Sequence, residues 1–188
     1  MNIWFTADTH FDHTNILKYC NRPFKDTEHM NERLIKNWNA RVKKEDTVYH
    51  LGDFCFKERG ERNAQYWEDQ LNGKIIVVKG NHDSHNTVKT VLTAALIEIG
   101  GKQIMLQHHP VWTPHEVPDF CQMVFCGHVH NKWKFQHITY PPMEGVKEWL
   151  TRIPMVNVGV DVWNFMPVDI NEIMKEYHRW KNEDDKEG

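Results

Sequence analysis

Five short apolar runs in this chain each end on a cluster of Asp, Asn or His, and that recurrence restricts the fold more than any other feature. Residues 3–7 lead into Asp8-Thr9-His10, residues 47–51 into Gly52-Asp53, and residues 75–79 into Gly80-Asn81-His82-Asp83. Residues 103–107 lead into His108-His109-Pro110, and residues 123–126 into Gly127-His128-Val129-His130. Short apolar runs bounded by turn signals read as buried strands, and a sixth covers residues 155–160. Helical periods fall between them. Met30, Leu34, Trp38 and Val42 recur every four residues behind a cap at Asp26 or Thr27. Ala64, Trp67 and Leu71 form a second stripe that Gly73 would stop, and Asp169 with Glu172 has the capping-box pattern before Ile173, Tyr177 and Trp180. Strands alternating with helices predict an α/β layered fold. Ligands in such folds gather at the carboxyl ends of strands, which is where these clusters stand.

Taken singly, each cluster has an ordinary reading. Gly-Asp and Gly-Asn are common turn dipeptides, and His-x-His fits one face of an exposed strand. The ordinary reading does not explain why metal-ligand residue types close every strand in the same half of the sheet. Asp, Asn and His offer oxygen and imidazole nitrogen and no thiolate, a donor set suited to Mn²⁺, Fe, Zn²⁺ or Ni²⁺ rather than an Fe–S cluster or Ca²⁺. Side chains two residues apart on an extended segment share a face, so Asp8 with His10, and His128 with His130, can reach one pocket. Seven such donors exceed the needs of one ion and suit two, roughly 3.5–4 Å apart.

The bulk properties exclude other classes. At 188 residues the chain is expected to form a single domain over residues 1–180, with the polar stretch 181–188 frayed. The net charge of -3 provides no basic field for nucleic acid, which is disfavoured as a partner. No apolar run has the length of a membrane span, and no basic leader precedes residue 3, so a cytoplasmic protein is expected. Cys20, Cys55, Cys121 and Cys126 form no CxxC pair and read as small buried thiols.

Asp8-x-His10, Gly52-Asp53, Gly80-Asn81-His82-Asp83, His108 and Gly127-His128-x-His130 together resemble the calcineurin-like metallophosphoesterase superfamily in order and spacing, in the form of its small bacterial and phage members. Residues 11–16, 21–24, 48–51 and 157–161 extend the resemblance. It implies a four-layer α-β-β-α sandwich of two sheets flanked by helices. It also implies two divalent metal ions, with manganese foremost in vitro and Fe, Zn or Ni as the others. Carried over by motif, Asp8, His10 and His130 resemble the ligands of one ion and Asn81, His108 and His128 those of the other. Asp53 resembles the bridging carboxylate and His82 the catalytic histidine. At the tandem His108-His109 either histidine could serve, and the family's His–aromatic–Pro pattern favours His108, with His109 in the aromatic slot. Larger members carry a second Asp after the bridging one to pair with the catalytic histidine; here that stretch is Phe54-Cys55-Phe56, and Asp83 is too close in sequence to His82 to replace it.

The implied reaction is hydrolysis of a phosphate ester by metal-activated water, with His82 protonating the leaving oxygen. The expected substrate is small or nucleotide-like, and a diester is favoured over a monoester. Two other classes remain at this level: a non-catalytic metal-binding scaffold of the same fold, and a nuclease. The intact ligand set and His82 oppose the first, and the charge opposes the second. Arg22 either contacts phosphate or forms an ion pair. His13 and Asn15 either line the pocket or start a helix, and His50 is expected to pack behind the site. His29, His85, His115, His137 and His178 have no motif behind them. Residues 111–122 and 137–152 are expected to set specificity.

Overall fold

The computed structural model describes residues 1–56, 62–83, 88–89, 92–139 and 152–187. His85 and most of the second expected specificity segment lie outside them. In chain order the elements are β1 (Ile3–Thr6), α1 (Ile16–Tyr19), α2 (Thr27–Arg41), β2 (Thr47–His50), α3 (Ala64–Glu68) and β3 (Lys74–Val77). There follow β4 (Ala94–Ile99), β5 (Lys102–Gln107), β6 (Met123–Cys126), β7 (Phe135–Thr139), β8 (Arg152–Asn157), β9 (Val168–Asp169) and α4 (Ile170–Glu187). Two mixed sheets result, one ordered β3-β2-β1-β9 and the other β4-β5-β6-β8-β7. The α/β sandwich expected from the motifs is the one that forms.

Alternation along the strands assigns the faces. Phe5, Ile104, Leu106, Met123, Phe125 and Val156 point between the sheets, and Phe5 meets Phe125 edge to face at 5.1 Å. Trp4 and Val48 point outward onto Met30, Leu34 and Trp38 of α2 and onto Trp67 of α3. Met105, Val124, Ile153 and Met155 face the other way, onto Val111, Val117 and Cys121. The α2 stripe is buried as its period requires, and the Asp26 carboxylate accepts the His29 N–H at its start. Helix α3 ends earlier than its stripe: Leu71 is buried in the turn beyond Glu68, and Gly73 turns the chain at φ +91°. Helix α4 starts with Asp169 accepting the Glu172 N–H, packs Ile173 and Tyr177 into the inter-sheet core, and continues through the polar tail to Glu187.

Asp46 fixes the start of the first sheet. Its carboxylate accepts the Asn2 N–H (2.7 Å), the Trp4 indole N–H (3.0 Å) and the Lys43 N–H (3.0 Å). These hydrogen bonds hold its pKa down at about 2, and the group stabilises the fold while it is ionised. The contribution is complete above the unfolded value of about 4 and fades as the pH falls through about 2. Asp46→Asn is therefore expected to lower the urea midpoint at neutral pH, with a deficit that shrinks in strong acid. A deficit independent of pH would refute this account.

The two sheets meet at their strand ends. Ala7 bridges Gly159, with the Val160 N–H donating to the Ala7 carbonyl at 3.0 Å. Further backbone bonds extend the pairing beyond the strands: Asp8 N–H to Gly52, Gly127 N–H to His108 and Val158 N–H to Cys126. This lacing brings the ends of β1, β2, β3, β5 and β6 to one place.

Candidate metal centre

The close approach of these ends depends on glycine. A Cβ on Gly127 would lie 2.8 Å from Asp8 Oδ2, and one on Gly159 would lie 2.7 Å from the same oxygen. The donor-bearing residues themselves adopt left-handed backbone: φ is +57° at Asp8, +50° at His10, +57° at Asp53, +68° at His128 and +49° at His130. That conformation costs roughly 1–2 kcal/mol for a residue with a Cβ, and such strain concentrates at functional sites. It turns each side chain out of its strand's alternation and into a common space.

The Asp53 carboxylate lies at the centre. Its Oδ2 is 3.5 Å from His10 Nε2, 3.4 Å from His108 Nε2 and 4.0 Å from His82 Nε2. Asn81 Oδ1 is 2.9 Å from His108 Nε2 and 3.0 Å from His128 Nδ1. Asp8, His10 and His130 each present a donor atom within 4.8 Å of the others, as do Asp8, Asp53 and His108. The structure thus brings all seven expected donors together. His108 is buried against Asp53, whereas its neighbour His109 is exposed and lies 4.2 Å from the His128 ring.

The hydrogen bonds behind the rings decide which nitrogens point inward. His108 Nδ1 donates to the Leu51 carbonyl at 2.7 Å, which directs Nε2 to the centre. His130 Nδ1 pairs with Asp161 at 3.0 Å. His10 Nδ1 meets His13 Nδ1 at 3.2 Å, and His10 Nε2 is buried with no hydrogen-bond partner among the described residues. An orphaned ring nitrogen beside a carboxylate, with amide and imidazole acceptors converging on the same space, fits a cation between them.

The clustered donors also shift one another's ionisation. Burial raises the Asp8 carboxyl to about 6 and pushes His10 well below its usual range. Burial also opposes charge on His108 and His130, but the hydrogen bonds to Asp53 and Asp161 prevail and raise them to about 8 and about 10. Asp53, buried yet hydrogen-bonded to His108, is held below the ordinary carboxylate range.

Arg22 is not a phosphate contact. Its guanidinium is buried and every N–H is engaged: Nε and Nη2 on Asp161, Nη1 on the Thr9 carbonyl and the Met30 sulfur, Nη2 also on the Asp8 carbonyl. It braces the backbone of the first cluster and, through Asp161, the His130 ring. His13 and Asn15 do line the cavity beside the donors. His50 packs behind the site, with Nε2 donating to Thr9 Oγ1 while that hydroxyl donates to the Phe54 carbonyl. Asp83 accepts the N–H groups of Asp53, Phe54 and Gly80, joining the second cluster to the third. The His82 side chain is 45% exposed, flanked by the rings of His10 and His13 at 5.5 and 6.1 Å.

Sequence reasoning missed Asp161, the bracing role of Asp83, and Asn157. The Asn157 amide donates to the His130 and Trp133 carbonyls and accepts the Gly159 N–H. A lone Asp in the apolar stretch Val158-Gly159-Val160-Asp161-Val162 was the available signal.

Comparison with known proteins gives the same picture. The chain is 37% identical over 173 residues to the uncharacterized protein MJ1445 of Methanocaldococcus jannaschii, covering 92% of this chain and 89% of that one. It is 27% identical to the Gene 66 protein of Mycobacterium phage L5 over 86% of this chain and 87% of that one. The crystal structure of AQ665 from Aquifex aeolicus, a protein of unknown function, superposes with a TM-score of 0.66 at 29% identity, covering 92% of this chain and 97% of that one. Residues 1–159 match the sequence family described as the calcineurin-like phosphoesterase superfamily domain. The chain belongs to the calcineurin-like phosphoesterase superfamily.

Proposed function

We propose that the chain is a two-metal phosphoesterase that hydrolyses a small phosphodiester. The observation that carries this reading is the Asp53 carboxylate standing within 3.5 Å of both His10 Nε2 and His108 Nε2, between two donor groups. Asp8, His10 and His130 would hold one divalent ion, Asn81, His108 and His128 the other, and Asp53 would serve both. Manganese, iron, zinc and nickel all suit these donors. When bound, such ions supply acidified water and neutralise charge on the phosphoryl oxygens.

The chain's own residues do the rest. Asp161 and the Leu51 carbonyl fix the orientations of His130 and His108, so that the donors are set before substrate arrives. His82 stands at the open side of the donor cluster, where its ring can give a proton to the departing ester oxygen. None of the four cysteines forms a disulfide, and buried thiols suit a reducing compartment such as the cytoplasm. No helix among the described residues is long and apolar enough to cross a membrane.

His82→Ala is expected to retain the wild-type metal content, measured by plasma emission, and to lose roughly 10²–10⁴-fold in diester turnover, the usual range for a positioned acid or base. Undiminished turnover in this variant would remove His82 from the reaction. If the metal-loaded wild type cleaved no mono- or diester at all, a metal-binding scaffold would be the better description.

A further inference from the structure

Beside the metal donors lies a cavity of about 540 Å³ whose far wall is partly aromatic. That volume is within the range of roughly 300–1,000 Å³ typical of small-molecule sites. Ile16, Tyr19, Phe56 and Val129 form the wall, and Asn15 and Asn131 add amide groups. The His13 ring stacks on Phe56 at 4.4 Å and 12°, and the same ring is 5.1 Å from His10 and 6.1 Å from His82. The aromatic wall therefore begins one ring away from the reacting centre. Tyr19 ends α1 and is 71% exposed, and Phe56 is 37% exposed. Both are large aromatic residues that the core does not use, and they border the same opening. Lys132 lines that opening too.

A smaller hollow, of about 330 Å³, also borders the donors. It is lined by Lys79, Thr93, Gln107 and His109 and shares Asn81 with the first. One donor residue thus separates two recesses of different character. A phosphate seated on the donors would direct one substituent into each.

We propose that the aromatic recess is a nucleoside site, so that the substrate is a diester with a nucleoside on one arm and a smaller polar group on the other. The proposal rests on the phosphodiester reading above and adds the identity of one arm. A flat base would stack on Tyr19 and Phe56, Asn15 and Asn131 would meet its polar edge, and the sugar would lead to the phosphorus. Stacking on aromatic side chains tolerates any base, so the recess selects nucleosides as a class.

The test compares thymidine 5′-(p-nitrophenyl phosphate) with methyl p-nitrophenyl phosphate on the manganese-loaded protein. Both release the same leaving group and differ only in the other arm. The nucleoside ester is expected to have the higher kcat/KM. Tyr19→Ala and Phe56→Leu are expected to lower that value roughly tenfold through KM, the loss of one stack of about 1.4 kcal/mol. The methyl ester should lose clearly less than the nucleoside ester in both variants. Equal turnover of the two esters by wild type, or equal losses on both in Tyr19→Ala, overturns the proposal. If neither ester is cleaved, the catalytic reading fails first, and calorimetric titration with thymidine 5′-monophosphate and ribose 5-phosphate decides the recess. Preference for the nucleotide that Tyr19→Ala abolishes supports a nucleoside site; equal binding, or none, rejects it.

Discussion

Gly80→Ala is expected to lose stability and metal binding together. A Cβ at this position would overlap the Asp53 amide nitrogen and Oδ1. The amide nitrogen is backbone, and it already donates to Asp83 Oδ2 at 2.8 Å, as does the Gly80 N–H. The two loops are thus joined backbone to backbone across one buried carboxylate, with no flexible side chain to give way. Overpacking costs roughly 1–3 kcal/mol and occasionally more. Here the upper end applies, because relief requires moving Asp53 away from His10 and His108. Gly100→Ala is the control: its Cβ would meet nothing within 4 Å, and only the φ of +59° is unfavourable. That strain costs about 1 kcal/mol. Urea midpoints and metal content of the two variants should diverge, with Gly80→Ala lower in both. Equal midpoints and full metal content in both would show that the loops separate more easily than the packing indicates.

Arg22→Met should be similarly damaging for a different reason. It removes five donors from a buried site and leaves the Asp161 carboxylate with only His130 as a side-chain hydrogen-bond partner among the described residues. Breaking a buried pair by deleting one member costs roughly 3–5 kcal/mol. For a chain of this size each kcal/mol lowers Tm by about 2–4 °C, so a fall on the order of 10 °C is expected. Arg22→Lys should recover little, since one ammonium cannot reach two carbonyls and both carboxylate oxygens. Asp161→Leu in the Arg22→Met background should cost less than the sum of the single changes, because the stranded charge is then gone. Strict additivity would mean that the two residues act independently.

The sequence made the centre legible and left its supports hidden, and the reason is separation along the chain. The seven donors stand directly after apolar runs, so period and motif place them without knowledge of tertiary packing. Arg22 looked available because a charged residue near a motif usually faces solvent; its partner Asp161 is 139 residues away. The role of Asp83 in joining two loops depends on β2 and β3 lying side by side. The α2 stripe was readable because its four apolar residues share one face. The α3 stripe misled because Leu71 is buried from a turn, which a periodic count does not distinguish from another helical turn. Tyr19 and Phe56 gave no signal at all, since an exposed aromatic differs from a core one only in three dimensions.

The left-handed backbone at five of the donors has a consequence for descent. Asn and Gly take that conformation most easily, but His10, His128 and His130 gain nothing from it as far as folding is concerned. In a lineage released from the chemistry, drift toward Gly or Asn at His128 would relieve that strain, whereas losing His130 would strand Asp161. Arg22 and Asp83, which hold the frame together, would be retained. The order in which such a lineage lost residues would therefore record which of them had served the reaction and which the fold.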